Sequence, residues 1–274
     1  MTERPDILER IRAMRQKGEP FCLATVVRTV AATAAKAGAK AVILPDGTIT
    51  EGWIGGGCAR AAVLKAAKEA LADGAPRLVS VQPADALQEQ GVAGGDEKAG
   101  VRFATNMCPS QGTMDVFVEP VLPRPQLVIC GASPVAVATA ELGRRLGFAV
   151  TVCAPAAEQG AFAEAERRIE GYALPVEDAG ARFVVIATQG RGDEAALQAA
   201  LAVRSDHVAF VGSRRKAEAL KSALAARGVD AERLARLKAP AGLDLGAITP
   251  DEIAVSIMGE IIALRRWKHP REAT

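Results

Sequence analysis

Apolar residues recur at helical spacing through residues 6–17, with Asp6 placed as an N-cap and Gly18 as a stop, so the pattern predicts a first helix. Residues 21–30 are a near-continuous apolar run, the mark of a strand central in a sheet. The short runs 40–44 and 48–51 flank Pro45-Asp46-Gly47, a hairpin-like turn. Gly55-Gly56-Gly57-Cys58 follows, and directly after it an Ala-rich amphipathic stretch predicts a helix that stops near Asp73-Gly74. Residues 77–81 read as a short strand. Between 82 and 103 the pattern weakens, and Gly94-Gly95-Asp96 predicts a mobile surface loop. Asn106-Met107-Cys108-Pro109-Ser110-Gln111-Gly112 is a second turn cluster, and it leads into an alternating strand at 114–119.

Pro120, Pro123 and Pro125 stiffen the clearest linker, and beyond it strands and helices alternate as in a parallel doubly wound sheet. Strands are expected at 127–130, 149–153, 183–188 and 208–211. Helices are expected at 134–147, 157–168, 193–203, 214–227 and 230–236. A last helix has Thr249 as its cap, Pro250 first and Glu252 third. The fold class is therefore α/β: an N-terminal α/β domain over 1–119, a proline-rich linker over 120–126, and a Rossmann-like parallel-sheet domain over 127–274.

Composition narrows the function. With 34 basic and 32 acidic residues the chain carries no charge excess that would call for a nucleic-acid or membrane partner. No apolar run reaches the length of a membrane span, and the first residues lack a signal-peptide core, so a cytoplasmic setting is expected. Five cysteines without paired spacing suit free thiols in a reducing compartment. His207 and His269 are the only histidines, which argues against a His-based zinc site and against a Ser-His-Asp hydrolase.

Cys58 should lie where strand gives way to helix, in the first helical turn. Glycines there let a ligand approach the backbone, and the helix N-terminus favours anions. Gly55, Gly56 and Gly57 would form the anion-binding loop, with Cys58 or Cys108 as the reactive thiol; the alternative is a tight turn with a small packed cysteine. Cys22, within a strand, is expected to pack.

In the second domain Gly131-Ala132-Ser133-Pro134-Val135-Ala136 occupies the place of a G-x-G-x-x-G turn, but only Gly131 survives. Ser133 stands at the second glycine, and no acid follows the next strand. Gly212, Ser213, Arg214, Arg215 and Lys216 open a helix after a strand. Free amides, a hydroxyl and three cations there suit phosphate or pyrophosphate. Gly190 and Arg191 face the same edge. Asp244 reads as a turn former and Glu252 as a capping acid; Ser256 and Glu260 read as a surface or inter-subunit pair.

Several long motifs, in order, resemble the XdhC/CoxI family of molybdenum-cofactor maturation and insertion factors. They are Ile54-Gly55-Gly56-Gly57-Cys58, Gly112-Thr113-Met114-Asp115-Val116-Phe117-Val118-Glu119, Val211-Gly212-Ser213-Arg214-Arg215-Lys216, Ala239-Pro240-Ala241-Gly242-Leu243-Asp244-Leu245-Gly246 and Thr249-Pro250-Asp251-Glu252-Ile253. Residues 31–35, the stretch after Cys108 and the Rossmann turn depart from the family pattern, which suggests a divergent branch, near the members associated with CO dehydrogenase. The resemblance implies a maturation chaperone more than a turnover enzyme. Its ligand would be molybdenum cofactor, as molybdopterin or its dinucleotide form. Its partners would be a target molybdenum hydroxylase, a cysteine-desulfurase-type sulfurase and a second copy of the chain. Cys58 and Cys108 would face the metal or sulfur chemistry, with no structural metal site. Two other readings rest on the same sequence: an NAD(P)- or flavin-dependent oxidoreductase, and a scaffold tethering sulfurase to target.

Overall fold

The computed structural model describes residues 6–109, 111–175 and 180–267; Ser110 and His269 lie outside them. The chain divides into two compact units, Met1–Pro123 and Arg124–Thr274.

In the first unit, helix α1 (Ile7–Lys17) starts at Asp6, whose carboxylate accepts from the Leu8 N–H, and ends at Gly18 in the left-handed conformation. Strands β1 (Phe21–Val30), β2 (Lys40–Ile43) and β3 (Ile49–Gly52) precede helix α2 (Gly57–Asp73), and β4 (Arg77–Gln82) follows it. The stretch of weak pattern folds as α3 (Ala84–Glu89), β5 (Glu97–Lys98) and β6 (Val101–Thr105), and Gly94-Gly95-Asp96 lies, as expected, in an exposed turn between elements. The strand β7 (Thr113–Val121) completes a seven-stranded sheet in the order β3-β2-β1-β7-β4-β6-β5. Only β4 and β6 pair in parallel; every other pair is antiparallel. Strand periodicity sorts the faces. Cys22, Ala24, Val26, Val79, Val81, Val116 and Val118 pack beneath Val63, Ala66 and Ala70 of α2. Phe21 and Val42 point the other way and meet Met14 of α1.

The second unit is a six-stranded sheet, parallel throughout, ordered β10-β9-β8-β11-β12-β13. Its strands are β8 (Gln126–Cys130), β9 (Ala149–Ala154), β10 (Arg167–Glu170), β11 (Arg182–Ile186), β12 (His207–Phe210) and β13 (Leu237–Lys238). Numbered within the domain this is 3-2-1-4-5-6, the Rossmann order, with its reversal between β8 and β11. Helices α4 (Pro134–Arg145) and α8 (Pro250–Trp267) cover one face; α5 (Asp193–Ala202) and α6 (Arg214–Ala226) cover the other, with α7 (Ala231–Ala235) beside α6. The helix expected over 157–168 is a 3₁₀ turn, Ala156–Phe162, followed by the unforeseen β10. Thr249 and Glu252 form a reciprocal capping box on α8: Thr249 Oγ1 accepts from the Glu252 N–H, and Glu252 Oε2 accepts from the N–H groups of Thr249 and Ile248.

Ser256 and Glu260 do not form a surface pair. Both are buried on the inner side of α8, because the chain after β13 folds back over them. Glu260 accepts from the Gly242 N–H at 3.0 Å, from Lys238 at 2.8 Å and from His207 Nε2 at 3.1 Å. Asp244 forms no turn-closing hydrogen bond among the described residues. No helix among the described residues is long and apolar enough to cross a membrane.

Candidate functional site

The glycine loop behaves as its composition demands. Gly55 and Gly57 both take positive φ, +97° and +54°, and Gly56 is the N-cap of α2 with no side chain to accept from the helix. The first turn of this 17-residue helix also lacks an acidic residue. The N-cap therefore gives its first N–H groups no side-chain acceptor, and the helix dipole favours an anion there. Cys58, second in the helix, is half-buried.

The second turn cluster comes to the same place. Cys108, exposed, lines a cavity of about 60 Å³ together with Gly55, Gly56, Asn106 and Thr33. Asn106 shapes this wall: its Oδ1 accepts from the Cys108 N–H at 3.0 Å and its Nδ2 donates to the Gly112 carbonyl at 2.6 Å. Its own N–H donates to the Gln82 carbonyl at the end of β4. The third wall is the small-residue connection after β1, where Ala32 bridges to Gln111, and Ala31 and Gln111 both hold positive φ. The sequence pattern assigns this connection no role and does not single out Asn106; the one signal for Asn106 is its position two residues before a cysteine in a turn. Trp53 and Met107, next to the two loops in the chain, are exposed large apolar residues.

The three remaining cysteines are packing residues by position. Burial pushes the Cys22 thiol up to about 12, against the opposing pull of Arg77, and its sulfur lies 3.4 Å from the Ala67 carbonyl. Cys130 and Cys153 are fully buried neighbours on β8 and β9.

In the Rossmann unit the degraded nucleotide turn is closed on itself. Gly131 takes φ +106°, and a Cβ there would stand 2.5 Å from the Ala187 carbonyl oxygen at the end of β11. Ser133, buried, turns its hydroxyl onto the Ala136 N–H at 3.1 Å and so caps α4 with its own side chain. The Ala136 amide is thereby satisfied within the protein.

The basic loop is split in two. Lys216 reaches back to Asp193 at 2.5 Å, over the ring of Phe210. Asp193 also accepts from the Thr188 hydroxyl and the Gly190 N–H. Burial works to raise this carboxyl, but the hydrogen bonds from Lys216, Thr188 and Gly190 prevail and hold it below the usual range. Ser213 caps its own helix, accepting from the Lys216 N–H. Arg191 is 89% exposed, with Glu158 3.9 Å away. Arg214 and Arg215 are exposed, and neither has a partner among the described residues. Gly212 and Arg214 line a cavity of about 590 Å³ at the carboxyl edge of β12 and β13, walled opposite by the loop from Ala239 to Ala247.

Architecture thus defines a two-unit α/β protein whose second unit is a Rossmann domain in strand order but not in its phosphate turn. Residues 14–82 match the family model described as the XdhC and CoxI family, and residues 127–261 match that of the XdhC Rossmann domain. The chain belongs to the XdhC and CoxI family. It is similar to the protein YqeB of Escherichia coli (strain K12), with 30% identity over 268 residues, 95% of this chain and 46% of that protein. It is also similar to a probable xanthine dehydrogenase subunit of Bacillus subtilis (strain 168), with 28% identity over 166 residues, 56% of this chain and 47% of that one. The chain therefore spans about half the length of these relatives. A crystal structure of a xanthine dehydrogenase from Bacillus halodurans aligns over 97% of both chains with 19% identity and a TM-score of 0.46.

Proposed function

We propose that this chain binds molybdenum cofactor and assists its sulfuration and its insertion into a molybdenum hydroxylase. The observation that carries this reading is the convergence, in one small cavity, of the Cys108 thiol with the glycine loop at the uncapped N-terminus of α2. Family membership and the name of the Bacillus subtilis relative support it.

The residues fit such a cargo. Thiols are the soft donors that suit molybdenum or sulfur chemistry, and free helix amides suit its anionic ligands. At about 60 Å³ the thiol cavity holds one or two atoms, not a pterin ring system. In the second unit, the cavity of about 590 Å³ with Arg214 on its wall lies in the size range of cofactor sites and by itself suits a phosphate-bearing ligand. Within this scheme Cys108 meets the sulfur chemistry and Cys58 stands beside it. Gly212, Arg214 and Arg215 hold phosphate, and Lys216 serves them indirectly by fixing Asp193 and the start of α6.

The test is maturation of a cofactor-free molybdenum hydroxylase by the purified chain, cofactor and a cysteine desulfurase. Active hydroxylase should form with wild type and fall to the unassisted level with Cys108→Ala. Full maturation by both Cys108→Ala and Cys58→Ala would remove the thiols from the function.

A further inference from the structure

The cavity of about 590 Å³ in the second unit has four polar side chains on its wall: Arg214, Lys238, Asp244 and Ser256. Two of them are engaged within the protein. Lys238 donates to Glu260 at 2.8 Å, and the Ser256 hydroxyl donates to the Ile253 carbonyl at 2.8 Å. The other two, a guanidinium and a carboxylate, pair neither with each other nor with any described residue. Val211, Leu243, Leu245 and Ile253 supply apolar wall around them.

The wall that carries Asp244 is built to hold its position. Gly242 takes φ +90°, and a Cβ there would fall 2.3 Å from the Ser256 hydroxyl, so the loop lies directly on α8. The Gly242 N–H donates to Glu260 at 3.0 Å, the Leu243 N–H to the Ser256 carbonyl at 3.2 Å, and the Ala241 N–H to the Phe210 carbonyl at 2.9 Å. Three successive backbone N–H donors, two to carbonyls and one to the Glu260 carboxylate, thus moor the loop just before Asp244, which is the support a recognition residue requires.

We infer that Asp244 is the specificity residue of this cavity and reads the donor edge of an aminopyrimidinone ring, while Arg214 holds the phosphate that the ring system carries. The inference rests on the proposed function in placing a phosphate-bearing cofactor here. A carboxylate accepts in parallel from the ring N–H and the exocyclic NH₂ of an aminopyrimidinone; an aminopurine of the adenine type lacks that adjacent donor pair. The guanidinium at the start of α6 meets phosphate with both its charge and its fork of donors. Apolar side chains suit the faces of a flat ring, and the volume exceeds what a free amino acid or inorganic phosphate fills.

Guanosine and adenosine monophosphates share ribose and phosphate and differ at the ring edge, so they are the probes. Calorimetric titration of the full chain should show GMP binding about 10-fold tighter than AMP, the worth of one bidentate pair. Asp244→Asn should bring the two nucleotides within about 2-fold of each other, because the amide presents a donor where the ring also donates. Arg214→Gln should weaken both by about 10-fold and leave their ratio intact. Both side chains are exposed and have no partner among the described residues, so both variants should melt with wild type. Equal binding of GMP and AMP, no saturable GMP binding, or discrimination that survives Asp244→Asn would overturn the assignment. Molybdenum cofactor retention measured on wild type alongside these titrations separates the two claims. Retention without GMP selectivity sinks this inference alone, and GMP selectivity without cofactor retention sinks the proposed function alone.

Discussion

Glu260 shows how much one side chain organises. Burial works to raise its carboxyl, yet the bonds from His207, Lys238 and the Gly242 N–H bring it down to about 2 from an ordinary 4.5. A carboxyl lowered in the folded state stabilises that state above the unfolded value and loses the contribution as pH falls toward the folded one. The contribution is therefore complete above about pH 4.5 and gone near pH 2, and its size is about 3 kcal/mol. Denaturant unfolding of wild type and Glu260→Gln should differ by about that amount at pH 7, and the gap should close between pH 4.5 and 2; a gap independent of pH would show that the carboxylate charge is not what matters. The cysteines divide at the same scale. Cys22, raised to about 12 by burial, and the buried Cys130 and Cys153 should resist iodoacetamide at about pH 8, while exposed Cys108 is modified first. Peptide mass spectrometry of native and denatured samples checks the order.

At the scale of elements, legibility depends on whether the signal is local. The termini of α1 and α8 are written in adjacent residues, Asp6 and Gly18 at one, Thr249 and Glu252 at the other, and each forms as its residues require. Thr249→Ala should cost about 1 kcal/mol in denaturant unfolding, the worth of such a cap. The strand β6 is not legible, since Val101–Thr105 is short and gains its place by lying parallel to β4 across a loop. The edge strand β10, Arg167–Glu170, is charged at three of its four residues and exists because β9 offers an open edge. Glu260 escapes a sequence reading for a related reason: spacing puts it on one face of a helix but does not say that the loop 239–247 will cover that face. Gly131 looks in the sequence like the remnant of a nucleotide turn, and its close approach to β11 is what requires it. Gly131→Ala would drive a Cβ into the Ala187 carbonyl at φ +106°. It should destabilise the second unit by at least about 1 kcal/mol, seen as a lowered thermal midpoint.

At the scale of the molecule, two units with differently built sheets present different sets of side chains. The first supplies thiols and a helix N-terminus without a side-chain cap; the second supplies a larger, partly apolar cavity with an arginine and an aspartate that have no partner among the described residues. The candidate residues are legible as types in both units. What spacing does not convey is where they sit and what they contact: Cys108 rather than Cys58 lies on the cavity wall, Lys216 is committed to Asp193, and Ser133 is committed to its own helix. Those assignments come from contacts between residues that are distant in the chain or from hydroxyls turned inward, and a linear pattern reports neither.

The proposed function turns on molybdenum cofactor binding at the Cys108 cavity. The most direct measurement is anaerobic incubation of the full chain with cofactor released from a molybdenum hydroxylase, followed by native mass spectrometry and metal analysis of the desalted protein. Wild type should retain about one cofactor per chain with its molybdenum, and Cys108→Ala should lose most of the molybdenum while keeping its fold. Wild type that emerges free of cofactor, or Cys108→Ala that keeps its molybdenum as wild type does, would overturn the proposal.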